Sequence, residues 1–108
     1  MIFTLDEIKQ RIIEPVTRYG ISKVYIFGSY ARGTATEDSD IDILIDTENS
    51  LITGLISLAG LYNELAKALD KKIDLVTADS IEQPTNKIGQ LRFRENLKKE
   101  RVIIYEAA

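Results

Sequence analysis

With 108 residues and 44% hydrophobic content, the chain supports one compact domain over residues 1–108 and leaves no length for a second. It contains no Cys and no His, which excludes disulfides, thiolate chemistry and imidazole-based metal sites, so any catalysis must run on carboxylates, hydroxyls, Lys or Arg. The net charge of -3 argues against bulk attraction to nucleic acid or to an anionic membrane; no apolar window reaches membrane-spanning length and the first ten residues lack a signal pattern, so a cytoplasmic location is expected.

Thr4 and Glu7 have capping-box spacing, and Leu5, Ile8, Ile12, Val16 and Tyr19 recur at helical intervals up to Gly20. They predict a first helix, bent or cut at Pro15. Lys23 to Phe27 is β-branched and aromatic and reads as a short buried strand that ends at Gly28. A Gly28-Ser29 turn follows, then a single helical turn to Arg32, with Gly33 ending it and a polar loop from Thr34 to Ser39. A second strand is expected over Asp40 to Ile45. Leu55, Leu58, Leu61, Tyr62, Leu65 and Leu69 mark the core face of a long helix, and Ile73 to Thr77 is a third strand. Asp79 to Thr85 reads as loop or one turn, Lys87 to Lys99 as a loosely periodic basic helix, and Val102 to Tyr105 as a closing strand. The order is that of an α/β (α+β) fold: a small mixed sheet with helices packed mainly on one face.

Side chains alternate along a strand, so Asp40 and Asp42 share a face, spaced about 6.7 Å along the backbone, while Ile41 and Ile43 point to the core. Two carboxylates this close repel each other unless a cation lies between them, and oxygen ligands without imidazole or thiolate suit Mg²⁺, or Mn²⁺, over Zn²⁺. Two-metal phosphoryl transfer commonly uses a third carboxylate from a neighbouring strand, for which Asp74 in the apolar third strand is the candidate. The alternative for Asp74 is an edge acid paired with Lys71 or Lys72. Gly28 permits close approach of a phosphate, and Ser29 adds a hydroxyl beside free N–H groups. Arg32 either reaches a triphosphate or makes a surface ion pair; Ser39 either orients Asp40 or caps its loop. The basic residues of the last third read as a solvated helix face or as a surface for an acidic partner.

The segment from Gly28 through Ser29, Arg32 and Gly33 to Ser39, Asp40 and Asp42 resembles the GSxARGx(n)SDxDL signature of the polymerase-β-like nucleotidyltransferases, in the version of the minimal MNT-type proteins, with Ile43 where Leu is usual. The resemblance implies that Gly28 and Ser29 hold the triphosphate of ATP, with Arg32 and Ser39 beside it, and that Asp40, Asp42 and Asp74 hold Mg²⁺ and carry catalysis. It further implies an antitoxin that acts on a HEPN-domain ribonuclease by transferring AMP to a tyrosine near its active site. Two alternatives stay open: nucleotidyl transfer to a small molecule, for instance by a homo-oligomer that completes the acceptor site, and a non-catalytic antitoxin that blocks its partner by binding.

Overall fold

A computed structural model describes residues 2–107, so the first and last residues of the expected 1–108 unit lie outside the described residues. Helix α1 (Leu5–Arg18) starts at the expected capping box: the Glu7 amide donates to Thr4 Oγ1 at 3.1 Å and the Thr4 amide to Glu7 Oε1 at 2.9 Å. It runs on through Pro15, which is not a stop, because Pro15 is itself buried beside Ile8, Ile12 and Val16 and packing outweighs one lost backbone hydrogen bond. Strand β1 (Lys23–Phe27) leads directly into the five-residue helix α2 (Gly28–Arg32), which Gly33 closes in the left-handed conformation.

Strand β2 (Ile41–Asp46) begins one residue later than expected, leaving Asp40 in the loop before it. Helix α3 (Leu55–Leu69) and strand β3 (Ile73–Thr77) follow, then a 3₁₀ turn over Ser80–Glu82, helix α4 (Ile88–Glu100) and strand β4 (Val102–Glu106). One expectation for α3 fails: Leu55 is 84% exposed, because the packed stripe starts a turn later and reaches full burial at Leu61, Leu65 and Leu69.

The sheet is mixed, in the order β3-β2-β1-β4; β1 is antiparallel to both β2 and β4, and β2 is parallel to β3. Strand alternation divides its residues between two unlike faces. Val24, Ile26, Ile41, Ile43 and Ile45 join α1 and α3 in the main core, so the helices do pack mainly on one face. The opposite face carries Asp42 and a smaller core of Phe27, Leu44, Ile81 and Leu97, which α4 covers in part. The alternation that puts Asp42 on this face puts Leu44 there too, and Leu44 packs with Leu97 of α4.

Candidate active site

The site forms where β1 ends, β2 begins and α4 passes over them. The antiparallel register sets Phe27 opposite Asp42, and the parallel register sets Asp42 beside Asp74. The two carboxylates therefore stand on one face of neighbouring strands, with roughly 5 Å between the backbones. The sequence offered Asp74 as the third carboxylate from a neighbouring strand, and the parallel register sets it directly beside Asp42. Lys71 does not neutralise it: that ammonium donates to the Glu37 carbonyl at 2.8 Å, and among the described residues no ion pair joins Asp74 to Lys71 or Lys72.

Gly28 has a structural reason to be glycine. Its φ is +70°, and a Cβ there would lie 2.0 Å from Asp42 Oδ2, so the carboxylate rests directly against the bare Cα. Asp42 is half-buried, whereas Asp40 and Asp74 are exposed. Burial pushes the Asp42 carboxyl up to about 6 from an ordinary 3.8; repulsion from Asp74 and then Asp40 adds to the rise, and Arg32 opposes it.

The donor set of three carboxylates with no thiolate or imidazole has the chemistry of a hard divalent cation site, and the charge repulsion at Asp42 is what such a cation relieves. No ready-made cage of three metal-ligating side chains exists among the described residues. The chain itself thus brings Asp42 and Asp74 together and leaves Asp40 at the rim.

Ser29 sits in the first turn of α2, where backbone N–H groups have no intrahelical partner. The guanidinium of Arg32, at the other end of α2, donates to Glu100 of α4 at 2.8 Å, with both side chains partly exposed. Of its two readings the structure thus displays the ion pair, and locates it in the same cleft as Asp42. Ser39 accepts a hydrogen bond from the Thr36 amide at 2.9 Å and so braces the loop before Asp40. Two of the basic residues serve the fold: Arg94 donates to the Gln83 carbonyl at 2.6 Å, and Arg101 lies over the Tyr25 ring at 4.6 Å.

A cleft of about 260 Å³ joins these groups, lined by Phe27, Gly28, Arg32 and Asp42 on the sheet side and by Phe93, Asn96, Leu97 and Glu100 on α4. The α4 wall was not foreseen as part of the site. Its residues do recur at i, i+3, i+4 and i+7, one helical stripe, but an aromatic, an amide, a leucine and an acid produce no amphipathic signal.

Comparison with known proteins identifies the family and fold. Residues 5–104 match the nucleotidyltransferase domain family. A protein of Methanocaldococcus jannaschii is 44% identical over 85 residues, covering 75% of this chain and 85% of that protein. The protein adenylyltransferase MntA of Thermococcus cleftensis is 38% identical over 84 residues, or 74% of this chain and 83% of its own length. Among solved structures, a toxin–antitoxin complex with AMP-PNP superposes with a TM-score of 0.67 at 25% identity, over 92% of this chain and 73% of the matched one.

Proposed function

Because this chain belongs to the nucleotidyltransferase domain family, and is an enzyme of its minimal MNT type, we propose that it transfers AMP from ATP to a tyrosine hydroxyl of a HEPN-type toxin and so acts as that toxin's antitoxin. What carries the reading is the Asp42 and Asp74 pair on adjacent parallel strands, with Gly28 cleared of side chain beside Asp42. The name of the Thermococcus relative and the nucleotide analogue in the toxin–antitoxin complex support the substrate and the partner.

Each residue then has a task. Gly28 and Ser29 present backbone N–H groups and a hydroxyl to the triphosphate. Arg32 exchanges its carboxylate partner Glu100 for a phosphate oxygen, which it meets with the same charge-assisted geometry. Ser39 holds the loop that carries Asp40. Asp40, Asp42 and Asp74 would hold Mg²⁺ or Mn²⁺, which when bound offsets the charge of the carboxylates and of the phosphates. The tyrosine oxygen attacks the α-phosphorus in line, the bond to the bridging oxygen breaks, and pyrophosphate leaves with the electron pair. A free tyrosine has a pKa of about 10, so its proton must be removed during attack. Asp74, exposed on β3, takes that proton. The exposure of Asp40 and Asp74 favours an acceptor presented by another macromolecule.

The test is incubation with Mg²⁺, each of four α-labelled nucleoside triphosphates and a HEPN-domain partner encoded beside this chain. Label from ATP on the partner, lost in Asp42→Asn and in Asp74→Asn, is the expected result. No label with any nucleotide, or full neutralisation of the partner by Asp40→Asn and Asp42→Asn variants, would falsify it.

A further inference from the structure

We propose that Phe93 and Asn96 of α4 form the nucleobase wall of the cleft and select adenine, an assignment that rests on the nucleotide reading above and adds the residues that read the base. Phe93 meets Phe27 edge to face, with ring centroids 6.0 Å apart and planes at 78°, yet remains 45% exposed. One edge contact thus holds the ring, which lines this cleft and, on its other side, a second hollow with Val76, Ile81 and Gln90. Leu97 on the same stripe is the α4 residue buried in the small core, whereas Phe93 touches that core only through Phe27 and keeps much of its ring exposed. An anchored aromatic surface beside a triphosphate cradle is a stacking platform, and base stacking on such a ring tolerates any base.

Asn96 supplies the selection. It lies one helical turn beyond Phe93 in the same cleft, exposed, and among the described residues its carboxamide makes no hydrogen bond. A carboxamide offers one acceptor and one donor side by side, which pairs with the amino donor and ring-nitrogen acceptor of adenine. On the N6/N7 edge guanine presents two acceptors, O6 and N7, where adenine presents a donor and an acceptor, so whichever way the amide turns one of the two hydrogen bonds is lost. The cleft of about 260 Å³ lies just under the usual range for whole small-molecule sites, about 300–1,000 Å³, and suits one end of a nucleotide while the phosphates run out past Gly28.

Binding of ATP, GTP and inorganic tripolyphosphate to the full chain with Mg²⁺, measured by calorimetry, tests this. The parent should prefer ATP to GTP by about tenfold. Phe93→Ala should weaken ATP by about tenfold and leave tripolyphosphate unchanged, while Phe93→Tyr, which keeps the ring, retains the parental affinity. Asn96→Ala should bring ATP and GTP to equal affinity. If tripolyphosphate binds and Phe93→Ala binds ATP like the parent, or if the parent does not distinguish ATP from GTP, the base wall is wrong and the nucleotide reading stands. If neither tripolyphosphate nor any nucleotide binds, both are wrong.

Discussion

The two faces of the sheet are made by the same strands and differ in almost every physical respect. On one, isoleucines of β1 and β2 with no exposure meet α1 and α3 in a continuous apolar layer; on the other, Asp42 and Asp74 stand at one end, and a smaller cluster of Phe27, Leu44, Ile81 and Leu97 is buried, with Tyr25, Val76 and Ala78 partly buried against it. The division is residue by residue, so neighbours in sequence serve opposite ends: Ile43 serves the fold and Asp42 the chemistry. The acidic face is left incompletely covered, and its charges are held there by the stability that the other face supplies.

Adjacent substitutions give the sharpest separation of the two faces. Asp42→Asn should abolish nucleotidyl transfer while leaving the circular dichroism spectrum unchanged. Ile43→Ala, a fully buried truncation, should cost about 2–5 kcal/mol in urea unfolding and reduce transfer only in proportion to the fraction unfolded. If Asp42→Asn unfolded the chain, the two faces would not be separable in this way.

Gly28→Ala tests the point where the backbone touches the acidic face. The added Cβ would displace Asp42, and the left-handed backbone would cost roughly 1–2 kcal/mol. Transfer should fall by about 100-fold, as for a displaced reacting group, with a smaller loss of thermal stability. Retained transfer would mean that the close approach is incidental.

A smaller effect is expected from the charge on Asp42. Its carboxyl titrates near 6 in the folded chain and near 3.8 when unconstrained, so between these values the native state binds the extra proton. Stability from this group is therefore fully present below about pH 4 and lost as pH rises through 6. Asp42→Asn should remove that dependence and, in chelator at pH 7.5, stabilise the protein by about 1 kcal/mol once solvent screening at a half-buried site is allowed for. Added Mg²⁺ should raise the parent's melting temperature and leave that of the variant nearly unchanged. A variant less stable than the parent in chelator would show that ionised Asp42 is not a burden on the fold.

The apolar face has its own small exception. The Tyr30 hydroxyl is buried with no hydrogen-bond partner among the described residues, so Tyr30→Phe should stabilise the chain by about 1 kcal/mol in the same denaturation assay. A loss of stability instead would reveal a partner for that hydroxyl.

Much of this division was legible in the sequence because it is local. The capping box at Thr4 and Glu7, the strand Lys23 to Phe27, and the alternation of Ile41, Asp42 and Ile43 each depend on a few residues of spacing, and each appears in the structure; Asp40 does not share that strand face, because β2 begins one residue after it. The Leu55 stripe misled, since helical spacing names a face without saying how far along that face anything packs. Ser39 and Arg32 had two readings each, and the partners they take in the structure lie three residues away in one case and 68 in the other.

The sequence by itself determined the order of the elements, the core-facing residues around Asp42 and the glycine-serine turn, since φ/ψ preference, side-chain period and turn chemistry act over short range. Tertiary structure alone decided that Asp74 stands beside Asp42, that an aspartate oxygen fills the space a Gly28 side chain would take, and that α4 closes the cleft with Phe93, Asn96 and Glu100. Those contacts depend on strand pairing and a helix crossing, which bring together residues from 14 positions apart (Gly28 and Asp42) to 68 apart (Arg32 and Glu100).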